Sequence, residues 1–126
     1  MATDYGLNTK ILWSDRKRFL GMPITFTTYK VIDKEGSWKK LFVKTGLLST
    51  SEEEVQLFRI FDLSLYQSLF DKMFNVGTIT VHCNDESHSK LYLVNVKNPV
   101  KVRNMLAALI EEDRKGKHMK VNEFYM

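Results

Sequence analysis

Apolar and polar residues alternate along most of the chain from Ile24 to Val96, which is the pattern of half-buried β-strands. The segments ITFTTYKVID and WKKLFVKTG flank the polar turn KEGS and predict a β-hairpin. A further strand is expected over Glu52 to Leu57, and three alternating runs follow it: RIFDLSLYQS, GTITVHCN and KLYLVNV. Short turns join these segments, whereas parallel strands need long crossovers, so the sheet is expected to be antiparallel.

The period changes after Val96, where the segment NPVKVRNMLAALIEEDRKG predicts an amphipathic helix. Its apolar positions, at spacings of three and four, are Val102, Met105, Leu106, Leu109 and Ile110. Asn98 suits the N-cap, Pro99 suits the first helical position, and Gly116 is expected to end the helix. Fully burying five such side chains contributes about 8 to 15 kcal/mol gross, so the helix is expected to dock on the sheet.

One segment, QSLFDKMFNVG, interrupts the alternation. Leu69, Phe70, Met73 and Phe74 have the spacing of a short helical turn and are expected to lie on the sheet. A Leu69→Asp change is therefore expected to unfold the protein. Asp71 and Lys72 are expected on the outward side, where they could face a partner.

The order of elements predicts an α+β fold: a bent or split antiparallel barrel closed at one end by the helix. We divide the chain into an entry segment (1–22), a domain (23–115) and a tail (116–126). Trp13 is expected to anchor the entry segment, with Asp15, Arg16 and Arg18 pairing locally. The residues expected in the core are Phe26, Val31, Leu41, Val43, Val55, Leu57, Phe61, Leu63, Leu65, Leu69, Phe74, Ile79, Val81, Leu91, Leu93, Leu106, Leu109 and Ile110.

Composition narrows the class of protein. The 126 residues are 44% hydrophobic and 27% charged, as in an ordinary soluble domain. The net charge of +4 is spread over the sequence with an acidic run at Glu52 to Glu54, so no basic stripe predicts nucleic-acid binding. A single cysteine, Cys83, cannot form an internal disulfide, and no segment has the length of a signal peptide core or a membrane span. We expect a soluble, cytoplasmic protein.

Several spaced motifs resemble the bacterial pleckstrin-homology (PH) domain family. They are the strand RIFDL, the run QSLFDKMFNVGTI and the helix opening NPVKV, within a likeness that extends from about Leu12 to Arg114. The entry segment LWSDRKRFLGMPITFTTYKV is similar to that of soluble, single-domain members. The resemblance implies a PH-like antiparallel β-barrel or split barrel of about seven strands with a C-terminal α-helix, and it implies no common activity, because a fold does not fix a function.

Catalytic and metal chemistry find little support in the sequence. Neighbouring strand residues point to opposite faces, so His82 and Cys83 cannot readily share a metal ion with His88, and a fourth ligand is lacking. The serines have no base in a recognisable motif, and no glycine-rich loop could hold a phosphate. We therefore expect no enzymatic activity, no cofactor and no small-molecule substrate.

Two binding functions remain. The first is a protein-interaction or self-assembly module, for which Trp38, Phe42, Asp71 and Lys72 are the candidate surface residues and an exposed strand edge is a candidate acceptor for another chain. The alternative is peripheral binding to an anionic membrane through the lysines of the first hairpin. These are Lys30, Lys34, Lys39 and Lys40. Four lysines at about 1 kcal/mol each give only about 4 kcal/mol, which is a millimolar interaction.

Overall fold

Two antiparallel sheets and a C-terminal helix form the fold in a computed structural model. The structure describes residues 8–22, 24–35, 37–84 and 89–125, with side chains as far as Lys117. The first sheet contains four strands in sequential order: β1 (Thr9–Arg16), β2 (Thr28–Lys34), β3 (Trp38–Thr45) and β4 (Ser51–Gln56). A short 3-10 helix (Leu57–Arg59) leads to the second sheet, which contains β5 (Ile60–Tyr66), β6 (Val76–Cys83) and β7 (Lys90–Lys97). Helix α1 (Leu69–Met73) joins β5 to β6, and helix α2 (Pro99–Tyr125) follows β7.

The predicted α+β fold of about seven antiparallel strands is confirmed, as a two-sheet arrangement rather than a closed barrel. The hairpin of β2 and β3 is also confirmed, although β2 begins at Thr28 rather than Ile24. Part of the predicted entry segment is strand β1, which pairs with β2 from Thr9 to Arg16. Trp13 packs against the core as expected, and Arg18 forms an ion pair with Asp15 at 3.2 Å.

The core lies between the two sheets and α2. Most of the predicted core residues are in it, and Leu63, Leu65 and Leu109 pack against it while half-buried. Tyr29 on β2 joins the sheets, because its hydroxyl accepts a hydrogen bond from Val94 N–H (2.8 Å) and donates one to Val94 C=O (3.0 Å). The buried hydrophobic members of the core are Tyr29, Val31, Leu41, Val43, Val55, Leu57, Ile60, Ile79, Val81, Cys83, Leu91, Leu93, Val96, Val102, Leu106 and Ile110.

Three predicted core residues, Phe26, Phe61 and Leu69, are exposed. Phe26 precedes β2 and lies in the β1–β2 connection, so no strand turns it inward. The pairing of β5 with β6 shifts register between Ile60 and Asp62, which is the signature of a β-bulge. The bulge breaks the alternation, so Ile60 is buried and Phe61 points outward beside His82.

Helix α2 buries the predicted face, with Val102, Leu106 and Ile110 in the core. It begins at Pro99, and Asn98 C=O accepts the hydrogen bond of Val102 N–H. The prediction that Gly116 ends the helix is wrong, because α2 continues to Tyr125. Gly116 has no positive φ, which the usual glycine stop requires. None of the helices in the described part of the chain is long and apolar enough to span a membrane.

Candidate docking surface

The connection between β1 and β2 carries an unusual density of exposed apolar side chains. Backbone hydrogen bonds hold it in place: Lys17 N–H donates to Thr27 C=O (2.8 Å), Arg18 N–H donates to Asn95 C=O (3.0 Å), and Phe19 pairs with Met22. Five of its side chains are at least 50% exposed: Phe19, Leu20, Met22, Ile24 and Phe26. A connection that is fixed while its apolar side chains face water is a candidate contact surface.

Helix α1 presents three more apolar side chains to solvent. Leu69 is 82% exposed, and Phe70 and Met73 are similarly open. The helix is fixed by a capping box, in which Ser68 Oγ accepts from Asp71 N–H (3.0 Å) and the Asp71 carboxylate accepts from Ser68 N–H (3.1 Å). Because Leu69, Phe70 and Met73 are exposed, the prediction that this turn lays them on the sheet is wrong, and of the four apolar side chains Phe74 alone turns partly inward. The expectation that Leu69→Asp unfolds the protein is wrong for the same reason.

The two segments meet at Gly21 and Phe74. Gly21 has φ +83°, and a Cβ at this position would lie 3.1 Å from Phe74 Cδ1. The close approach places the connection beside α1, and we call the exposed apolar side chains of these two adjacent segments the apolar end. Its members are Phe19, Leu20, Met22, Ile24, Phe26, Leu69, Phe70 and Met73.

A second turn with exposed apolar side chains lies at the same end of the first sheet. Arg16 pairs with Thr28 and Thr28 with Lys44, so the β3–β4 turn and the β1–β2 connection emerge from the same end of their strands. At the tip of this turn Leu48 is 98% exposed, beside the exposed Leu47. Gly46 makes the turn at φ +105°, where a Cβ would collide with Ser49 C=O.

Both cations and carboxylates lie around the apolar end, and the cations outnumber the carboxylates. Arg16, Lys17 and Lys72 form no ion pair with any described residue. The two neighbouring carboxylates are held by local hydrogen bonds: Asp71 caps α1, and Asp15 accepts from Arg16 N–H, Arg18 and Lys97 N–H. The surface is therefore apolar, with a border that holds more cations than carboxylates.

The structure does not bring the four predicted hairpin lysines together. Consecutive strand residues face opposite sides, so Lys39 lies on the face of the first sheet opposite to that of Lys40, Lys30 and Lys34. Lys39 Nζ lies 3.1 Å from Glu112 on α2, and Lys40 Nζ lies 3.1 Å from Glu54.

The predicted interaction residues have mixed outcomes. Phe42 was expected to be exposed and is only 5% exposed, in edge contact with the Trp38 ring at 6.1 Å. Trp38 is half-buried, with Lys40 Nζ 4.7 Å from its centroid. Asp71 is engaged in the α1 cap, and Lys72 is exposed. Alternation along β3 predicts that Phe42 faces away from Leu41 and Val43, but it does not indicate that this second face is also buried.

One polar pair was not anticipated from the sequence. Ser64 Oγ and His82 Nε2 lie 3.2 Å apart across β5 and β6, on the outer face of the second sheet. In the described part of the chain no carboxylate is hydrogen-bonded to the other ring nitrogen of His82, and Asp62 accepts from Leu63 N–H. Cys83 is buried as expected, no three potential metal ligands cluster among the described residues, and His88 lies outside them.

Two antiparallel sheets closed by a C-terminal helix define an α+β domain of the PH-like class. The family model for the bacterial PH domain matches residues 21–110, which is most of the chain. The chain therefore belongs to the bacterial PH domain family, as its motifs predicted. No curated protein and no solved structure matches it.

Proposed function

We propose that the chain is a binding module that docks peripherally on an anionic membrane surface through its apolar end. One observation carries the proposal: eight apolar side chains, each at least 50% exposed, lie near Arg16, Lys17 and Lys72, which form no ion pair within the described part of the chain. Apolar side chains that enter the interface and cations that meet anionic headgroups are the two contributions that hold peripheral proteins on membranes.

The relative size of these contributions distinguishes this surface from the hairpin lysines. Burying a large apolar side chain contributes about 1.5 to 3 kcal/mol, whereas a cation near an anionic surface contributes about 1 kcal/mol. Binding through the apolar end should therefore weaken in high salt without being abolished. Binding through Lys34 and Lys40 would disappear in high salt, because screening removes its only contribution.

The test is co-sedimentation with phosphatidylcholine vesicles that contain or lack phosphatidylglycerol. We expect binding that increases with phosphatidylglycerol and is reduced at least tenfold when Leu69→Asp and Phe70→Asp are combined. A control is Tyr92→Asp, which adds one aspartate at an exposed side chain of β7 and is matched to each of the two single changes, Leu69→Asp and Phe70→Asp. A second control, Lys34→Gln with Lys40→Gln, should bind like the native chain.

Thermal unfolding checks that each variant is folded. Absence of sedimentation with anionic vesicles at low salt would overturn the proposal, as would binding that the Leu69 and Phe70 changes leave intact. If only the lysine variant lost binding, the membrane contact would be assigned to the hairpin lysines and not to the apolar end.

Self-association through the same surface is the second candidate. Eight side chains that each expose about 100 Å², half of a large side chain, give about 800 Å², which matches one side of a standard protein interface. Light scattering would then show a dimer that the Leu69→Asp, Phe70→Asp variant converts to a monomer. A native chain that stays monomeric at high concentration would exclude this candidate.

A further inference from the structure

Strand β5 is a free edge of the second sheet, since its strand partner in the described chain is β6. Helix α2 lies alongside this edge and leaves a groove of about 290 Å³. The groove is lined on one side by β5 and on the other by α2, and its charged members are one carboxylate, Asp62, and two arginines, Arg103 and Arg114. Its other lining residues are Ile60, Phe61, Leu63, Ala107 and Ile110. We call it the β5 groove, and it shares no residue with the apolar end.

Backbone groups of β5 face this groove. Leu63 N–H donates to the carboxylate of its own neighbour, Asp62, at 2.9 Å, so it does not point to β6. Because such groups alternate along an antiparallel strand, the N–H and C=O of Leu65 point the same way. At the start of the strand, Ile60 C=O accepts from the Arg114 guanidinium. The side chains of Asp62 and Arg114 thus bond the backbone N–H and C=O groups that an added strand would otherwise pair with.

The positions of the two arginines determine the length and charge of a peptide that would fit the β5 groove. Arg103 and Arg114 are 11 positions apart on α2, which corresponds to about 16 Å along the helix axis. In an extended chain, residues four apart lie on one face about 13 Å apart, within reach of both guanidinium groups. Neither arginine forms an ion pair with a carboxylate of a described residue, and Arg guanidinium prefers carboxylate partners in a two-pronged geometry.

We infer that the β5 groove binds an extended acidic segment of a partner protein, which adds as a strand to β5. Two carboxylates of the segment, four residues apart, meet Arg103 and Arg114, and the apolar side chain between them packs on Ala107 and Ile110. The Asp62 carboxylate leaves Leu63 N–H as the new strand pairs with it. This contact is independent of the membrane docking proposed for the apolar end.

The test is an NMR titration of the full chain with the blocked peptide Thr-Glu-Thr-Val-Thr-Glu-Thr, whose two Glu and central Val share one face. We expect the amide signals of Leu63 and Leu65 to shift, and the affinity to fall at least tenfold when Gln replaces Glu in the peptide. Asp62→Asn should strengthen binding, because it removes a like charge and replaces the carboxylate that accepts from Leu63 N–H with a weaker acceptor.

Charge reversal provides the matched control. Arg103→Glu should weaken binding of the acidic peptide and favour a peptide with Lys in place of Glu. Arg103 is the better variant because Arg114 also bonds the carbonyls of Phe58 and Ile60, so its loss could affect folding. Shifts that are absent at millimolar peptide, or unchanged in Arg103→Glu, would overturn the inference. Self-association abolished by Arg103→Glu would also overturn it, since the acidic edge strand β4 of a second copy would then be the occupant.

Discussion

Tyr29 shows how one residue couples the two sheets. Its hydroxyl bonds both backbone groups of Val94, and burial raises its pKa from 10.0 to about 12, with the Val94 hydrogen bond opposing and the Asp15 charge adding to the rise. The folded state therefore holds this proton more tightly than the unfolded state. The resulting stabilisation is complete below pH 10 and is lost as the pH rises toward 12.

Urea unfolding of the native chain and of Tyr29→Phe measures this effect. At neutral pH we expect Tyr29→Phe to be less stable by about 1 to 3 kcal/mol, because Val94 loses its partner. Between pH 10 and 12 the difference between the two proteins should shrink, since only the native chain carries the Tyr29 proton. A difference in stability that stays constant over this range would show that folding does not change the pKa of Tyr29.

The limits of sequence reasoning are clearest at single residues. Alternation correctly placed Leu41, Ile79 and Leu93 in the core, because a regular strand fixes which face each residue takes. It failed at Phe61, where a β-bulge resets the register, and bulges leave no clear mark in the apolar pattern. It failed at Leu69 because helical spacing identifies a helix and not the face that packs, so Leu69, Phe70 and Met73 were expected to lie on the sheet.

At the scale of elements, the strands β2 to β7 and the start of α2 could be predicted because capping residues and periodicity are local signals, whereas β1 was assigned to the entry segment. The end of α2 could not, since a glycine stops a helix only when it takes a left-handed conformation. Gly116 remains helical, and apart from its chain neighbours and the backbone of α2 no atom of the described residues lies within 4 Å of the position its Cβ would occupy. The surface around it therefore has room for a methyl group.

Gly116→Ala tests this arrangement. In a helix interior, alanine is favoured over glycine by about 0.5 to 1 kcal/mol, so the variant should be more stable by that amount and more helical by circular dichroism. Ala108→Gly, at an exposed position earlier in α2, is the reverse control and should destabilise the protein by a similar amount. If Gly116→Ala were destabilising, the helix would end at Gly116 in a left-handed turn.

At the scale of the molecule, the fold gives two surfaces different chemistry. The apolar end depends on loops and the short helix α1, whose residues are not needed for the core, and the β5 groove depends on a strand edge and one face of α2. The regular elements carry the core that the sequence predicts, and both proposed contacts use positions where the strand pattern is interrupted or unpaired. This is why the sequence identified the family more readily than the surfaces.

Because the two surfaces share no residue, their contacts should be energetically independent. Combining Leu69→Asp with Phe70→Asp should abolish vesicle binding and leave the affinity for the acidic peptide unchanged, while Arg103→Glu should do the reverse. When vesicles are present, the native chain should bind the peptide with an affinity that differs by less than about 0.5 kcal/mol, the margin for uncoupled sites. A larger change would mean that membrane docking alters the β5 groove, and Arg103, one turn from the start of α2, would be the first position at which to look for that coupling.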